Sequence, residues 1–288
     1  MAGKKIWAYA KDKRSNDYVA GTKHKHKLYY VWEAVKMQNT NPAIFSQLEF
    51  MSTQRLVNDR RKMHVHAGGF FRYNPNQSPK GISDTDPDSD SLSHSLAIAA
   101  LAELEKLNFE CRGEKFSISP TSVETEQRLQ LISEGEYKYY IPDIVFTFDQ
   151  DSEYAKRWGR KLVIEVMHTH ACEEVKIKDF ENHCIPIIEV KLNKMTLEEH
   201  SGTRSPNIQQ IEEFYDYLKR KFSNVIYGNI LSNPVTTEFY KDNVAIAFEK
   251  QKLAEKQRDK ALQEVTQLQN FEKKLRKLTS EGNTPIFN

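Results

Sequence analysis

Two short runs constrain this chain most: IPDIVF at residues 141–146 and LVIEVM at residues 162–167. Both are rich in β-branched residues and of a length that suits a buried strand. Each carries a single carboxylate, Asp143 or Glu165. An ionised acid is costly to bury unless it is paired or bound to a cation. A third run, IIEVKL, places Glu189 and Lys191 in the same kind of setting. Two acids on neighbouring strands could share a divalent cation.

The segments around these runs predict an α/β core, with helices packed against a mixed sheet. Residues 93–107 (SHSLAIAALAELEKL) read as a helix, with Ser91 or Ser93 as its cap and Leu96, Ala100, Leu104 and Leu107 as its apolar stripe. Strands are expected at 114–119, 128–132, 139–148, 161–167 and 186–190, and helices at 172–183 and 206–222. Residues 249–278 change character. They are rich in strong helix formers, and Leu262, Val265, Leu268, Phe271, Leu275 and Leu278 recur at spacings of three and four. That pattern fits a long helix, either packed on its own domain, folded into a hairpin, or forming a coiled coil with a second copy or another protein.

The amino-terminal part is less ordered in pattern. LYYVWEAV at 28–35 suits a strand or a helix, and residues 54–73 are basic and aromatic with a tight bend at Gly68 and Gly69. Residues 74–91, rich in Pro, Ser and Asp, read as an exposed loop; their aspartates lack the ordered glycine and terminal glutamate of a calcium loop. The expected division is an accessory region at 1–90, a core at 91–235 and a long carboxy-terminal helix at 236–288.

Composition bounds the partners weakly. The 288 residues carry 42 Lys and Arg against 40 Asp and Glu, a net charge of +2, so any nucleic-acid contact must come from a local positive path. No run approaches the ~20 apolar residues of a membrane helix, and the start lacks a secretory signal's apolar stretch. Three cysteines do not make a disulfide framework. The expected setting is cytoplasmic, away from membranes.

On a strand, alternate residues share a face, so Glu165 and Met167 point one way and Ile164 and Val166 the other. If the strands of Asp143 and Glu165 are adjacent, both acids reach one cleft and bind Mg²⁺ or Mn²⁺ through hard oxygen ligands, an arrangement suited to phosphodiester hydrolysis. The plainer alternative has Asp143 capping a turn after Pro142 and Glu165 paired with a nearby base. His168, Thr169, His170, Lys176 and Lys178 concentrate acids and bases where strand gives way to helix, a usual address for sites in α/β folds.

Asp143 after Pro142, followed by the Glu165-Val166-Met167 strand, resembles the core of the PD-(D/E)XK nuclease superfamily. More narrowly, over about residues 60–195, the chain resembles the competence protein CoiA-like nucleases. The residues that carry this likeness are His94 near the start of a helix, the proline-aspartate strand, the IEV strand, and the run from His168 through Cys172 and Glu173 to Lys176. The alternating His64 and His66 are similar to a segment that precedes the nuclease helix. The resemblance implies a restriction-endonuclease-like core acting on DNA, with Asp143 and Glu165 as metal ligands beside the Met167 backbone carbonyl. Settings it suggests are DNA uptake, recombination or defence against foreign DNA.

One position departs from the pattern: Met167 stands where the superfamily usually has lysine. Lys176 is the first substitute, from the helix after the acid strand. Glu189 and Lys191 form a literal ExK one strand later and define an alternative register. His94 either enters the cleft or caps its helix. His168, His170, Cys172, His183 and Cys184 invite a zinc reading without the familiar paired spacing. Arg60, Arg61 and Lys62, with Arg157, Arg160 and Lys161, are the expected phosphate contacts, aided by Tyr137, Tyr139 and Tyr140. The competing function is a non-catalytic nucleic-acid-binding adaptor built on a degenerate nuclease fold.

Overall fold

Alternation of apolar and polar residues sets most of the strands. The computed structural model describes residues 5–21, 26–54, 56–66, 68–74, 92–133, 136–149, 153–167, 172–192 and 195–280. Ser91, most of the expected loop at 74–91, and His168 and His170 therefore lie outside the described residues. The chain divides into two compact units, residues 1–236 and 237–288.

The amino-terminal part contributes β1 (Trp7–Asp12), β2 (Leu28–Tyr30), α1 (Val31–Thr40), α2 (Pro42–Gln47), β3 (Leu48–Met51), β4 (Lys62–His66) and β5 (Phe70–Tyr73). The strands form one antiparallel sheet in the order β2-β1-β3-β4-β5. The LYYVWEAV stretch, open between strand and helix by sequence, is both: Leu28–Tyr30 pair with β1 and the chain turns helical at Val31. Gly69 makes the β4–β5 turn with φ +80°, and an added Cβ would lie 2.3 Å from Ile211 Cδ1. The turn thus needs glycine for both its backbone angle and its close approach.

The larger part begins with α3 (Leu92–Ala102), followed by β6 (Leu107–Cys111), β7 (Glu114–Ile118), β8 (Pro120–Thr125), β9 (Leu129–Ser133), β10 (Glu136–Tyr140), β11 (Ile144–Phe148), α4 (Glu153–Trp158), β12 (Lys161–Met167), α5 (Glu174–Asn182), β13 (Ile187–Lys191), α6 (Leu197–Ser201), α7 (Ile208–Asn224) and β14 (Ile226–Ser232). Seven of these strands make a mixed sheet in the order β7-β6-β14-β13-β12-β11-β8. The pairs β12–β13 and β14–β6 are parallel, and the rest are antiparallel. β9 and β10 stand apart as a two-stranded hairpin.

Two expected elements are corrected. The helix expected to run to Leu107 stops at Ala102, because Leu107, Phe109 and Cys111 alternate with polar residues and are buried as strand β6. The single strand expected over 139–148 is broken at 141–143, so Tyr140 ends a hairpin and Ile144 opens a sheet strand. Pro142 supplies the break, since it has no N–H for a ladder. Ser93 does not cap α3; it lies inside the helix, and its hydroxyl accepts from the Leu197 N–H at 2.9 Å.

A main core joins Trp7, Phe50 and Phe71 of the five-stranded sheet to α3, α7 and one face of the seven-stranded sheet. α3 is apolar on all sides and buried almost throughout, as its central place requires. A smaller core under α5 contains Val163, Phe180, Ile187, Leu131 and Tyr140. The second unit contains α8 (Thr237–Ser280), a helix of 44 residues within the expected 236–288 that carries the stripe from Leu262 to Leu278. Among the described residues, no helix is long and apolar enough to cross a membrane.

Candidate active site

Strand β12 divides its side chains between the two cores: Leu162, Ile164 and Val166 enter the main one, while Val163 enters the one beneath α5. Glu165 shares the Val163 side and so comes under α5. There Lys176 Nζ meets Glu165 Oε2 at 2.7 Å, with both side chains 14% exposed. The other oxygen, Glu165 Oε1, is buried and has no hydrogen-bond partner among the described residues. Burial pushes the Glu165 carboxyl up to about 7; the Lys176 ammonium opposes this and the neighbouring Asp143 carboxylate adds to it.

Asp143 arrives from the adjacent strand. Ile144 pairs with Ile164 in an antiparallel ladder, so the residue before it stands opposite Glu165 at the end of β11. Asp143 Oδ2 accepts the Val166 N–H at 2.6 Å and lies 3.2 Å from His94 Nε2. The His94 side chain, reaching in from the first turn of α3, therefore binds the acid and does not cap its own helix. The Asp143 carbonyl accepts the Glu126 N–H at 3.0 Å, which ties the same point to the end of β8.

The two registers of the acid motif turn out to be neighbours in space. β13 runs parallel to β12 with Glu189 beside Glu165 and Lys191 beside Met167. Glu189 is 3% exposed, and its Oε1 lies 3.5 Å from Lys191 Nζ. The intervening helix does not separate them, because it crosses over the sheet and returns the chain alongside. Asn229 of β14 continues the row beyond Glu189. Cys172 borders the same group; burial pushes its thiol up to about 12, with the Glu165 charge next in importance.

Sequence reasoning missed the clamp that holds α5. Asp179, one turn after Lys176, accepts hydrogen bonds from the Tyr140 hydroxyl and from Ser133 Oγ, the latter at 2.9 Å. The Ile132 N–H donates to His183 Nε2 at 3.2 Å. The β9–β10 hairpin thereby fixes the helix that delivers Lys176. The available signal was the i, i+3 and i+4 spacing of Lys176, Asp179 and Phe180, which puts all three on one helix side.

Other expected residues fall elsewhere. The Met167 carbonyl accepts the Leu192 N–H at 3.0 Å and so is engaged in the sheet ladder. Arg60 is 8% exposed, lies 4.7 and 4.6 Å from the Tyr9 and Tyr18 ring centroids, and donates from Nε to the Gln54 carbonyl. It is a packed cation, not a surface contact. Arg61 bonds the Asn58 carbonyl, and Lys62 pairs with Glu49 at 2.6 Å. Lys161 opens β12, about 13 Å along the strand from Glu165 at ~3.3 Å per residue, with Arg160 just before it and Arg157 in α4. Lys161 thus stands at the end of the strand opposite to the acids. Tyr140 is buried against Asp179 and is not a surface contact either. Among the described residues no group of three or more His, Cys, Asp or Glu side chains is placed to hold a metal ion; of the zinc reading, Cys172, His183 and Cys184 are described, while His168 and His170 lie outside the described residues.

The arrangement defines a mixed α/β sheet flanked by helices, with acids, histidine and lysine gathered at the ends of adjacent strands. Comparison with protein-family models, curated proteins and solved structures finds no match to the chain.

Proposed function

We propose that this chain is a metal-dependent nuclease with a PD-(D/E)XK core, akin to the CoiA-like proteins, that hydrolyses DNA phosphodiester bonds in the cytoplasm. The observation that carries the reading is the meeting of Asp143 and Glu165 across one antiparallel pair, with Lys176 Nζ 2.7 Å from Glu165 Oε2. Asp143 and Glu165 would hold Mg²⁺ or Mn²⁺. The buried Glu165 Oε1, unpartnered among the described residues, fits that role, since a hard cation is the natural partner for such an oxygen. Bound there, the ion supplies charge neutralisation at the scissile phosphate and lowers the pKa of the attacking water.

The remaining roles belong to the chain. His94 fixes the Asp143 carboxylate, Lys176 positions the water or stabilises phosphate charge, and the α5 clamp sets where Lys176 stands. The helix α8 recruits a second copy through its stripe at 262–278. The supporting test is incubation of purified protein with linear, circular and single-stranded DNA, and with RNA, in Mg²⁺, Mn²⁺ or EDTA. Metal-dependent cutting of DNA is the expected result.

A second reading is a nucleic-acid-binding adaptor on a degenerate nuclease fold. It is favoured by the Lys176–Glu165 ion pair, which neutralises the acid without a metal ion, and by Met167 at the usual lysine position. Tight DNA binding with no cutting in either metal would select it.

A further inference from the structure

The β9–β10 hairpin has two unlike faces. One is fixed to α5 through the Tyr140 and Ser133 side chains, as described above. On the other, Tyr137 is 70% exposed, Tyr139 49% and Ile132 54%, and Ile141, just past the strand, is 58% exposed. The antiparallel register puts Tyr137 opposite Ile132 and Tyr139 opposite Gln130, so these four share the outward face. The Arg128 guanidinium carbon lies 3.6 Å from the Tyr139 ring centroid, stacked on its face.

Exposed tyrosines on a strand need an account, because burying an aromatic is worth more than wetting it. Looseness is not the account here, since the opposite face is hydrogen-bonded to α5. Position gives a better one. The strand that carries Tyr137 and Tyr139 runs through Ile141 and Pro142 directly into Asp143. The platform therefore adjoins the acid site along the chain, two residues separating the strand's end at Tyr140 from Asp143.

We propose that this face is a platform for unpaired nucleotides, with bases stacking on Tyr137 and Tyr139 and the Arg128 guanidinium meeting a base or phosphate. The inference rests on the nuclease reading for its substrate class and deepens it: the strand led into the site is single-stranded or frayed. Tyr137 and Tyr139 are about 6.6 Å apart along the strand at ~3.3 Å per residue, a wider interval than the ~3.4 Å of stacked bases in a duplex. Splayed bases of an extended single strand fit that interval, and those of a duplex do not. Stacking is indifferent to base identity, because every base has a π-face. The Arg128–Tyr139 pair adds the positive charge that a purely apolar protein-docking face would not need.

The test is binding of a fluorescent single-stranded oligonucleotide of ~20 nucleotides in EDTA, so that cleavage plays no part, with a duplex of the same sequence alongside. The wild-type chain should prefer the single strand. The Tyr137→Ala/Tyr139→Ala variant should lose roughly tenfold or more in affinity for it, and Tyr137→Trp should retain binding. Both tyrosines are exposed, so the fold is expected to survive, and unchanged circular dichroism would show it. No single-strand binding by the wild type, or equal affinity in the alanine variant, would overturn the platform even if metal-dependent cutting is found. Tyrosine-dependent binding without cutting would keep the platform and remove the nuclease.

Discussion

Glu165 and Glu189 lie side by side in a parallel ladder, and two residues further along the same ladder Met167 lies beside Lys191. The lysine absent from the Glu165 strand is thus present at the same level on the next one, while Lys176 reaches the acid from above. Two amines compete for one role, and their geometry ranks them: Lys176 is 2.7 Å from Glu165, whereas Lys191 contacts Glu189 at 3.5 Å and is 42% exposed.

That ranking predicts mutant rates. Lys176→Met should lower single-turnover cleavage by about 10²-fold or more, the usual scale for loss of a group that handles the proton or water. Lys191→Met should cost less than about tenfold. Adding Met167→Lys to Lys176→Met should recover part of the loss, because it places an amine on the Glu165 strand itself. A larger loss at Lys191 than at Lys176 would transfer the chemistry to the Glu189 register.

The Glu165 carboxyl titrates at about 7 in the folded chain, chiefly because it is buried. A metal needs the carboxylate, so cleavage and metal affinity should both rise with pH through about 7. Metal binding near that pH should release a proton, seen as a buffer-dependent heat in calorimetry. The linkage to folding has the opposite sense. Because the folded value is raised above the unfolded one, the unfolded chain holds fewer protons between them, and Glu165 makes stability fall as pH rises from about 4.5 to about 7. Glu165→Gln should flatten that portion of the stability profile.

How far the sequence carried these conclusions varied with the kind of signal. Short runs rich in β-branched residues located β12 and the strand of Glu189, which are buried on both faces, and helical periodicity located α7, which has one face against a core. The strand β6 was hidden because Leu107 continues the apolar spacing of the preceding helix and periodicity alone does not mark the change. The adjacency of Asp143 and Glu165 was expected from chain order, but the adjacency of Glu165 and Glu189 depends on a parallel pairing that local pattern does not encode. Arg60 was misread for a related reason. Its burial comes from Tyr9 and Tyr18, far off in sequence and near in space.

The α5 clamp should matter for both stability and rate. Asp179→Ala leaves the Tyr140 hydroxyl and Ser133 without their acceptor, a cost of about 1–3 kcal/mol for buried partners. For a unit of this size that is a fall of roughly 2–10 °C in melting temperature. Cleavage by the folded fraction should fall too, because Lys176 is delivered by the loosened helix. Thermal melts and rates measured on the same samples check this; unchanged rates would separate the clamp from the site.

The unit at 1–236 contains all three sheets and the candidate site, so a chain ending at Thr236 should fold and melt within a few degrees of the full length. If α8 pairs with a second copy, light scattering should give a dimer for the full chain and a monomer for the shortened one. A shortened chain that remains dimeric would move the interface off α8.

The proposed nuclease requires Asp143 and Glu165 to act as one metal-dependent site. Its most direct measurement is single-turnover cleavage of DNA in Mn²⁺ by the wild type, Asp143→Asn and Glu165→Gln, each shown to be folded and free of contaminating activity by an EDTA control. The account predicts cutting by the wild type that falls by at least ~10²-fold in both variants. Equal cutting by all three would contradict it.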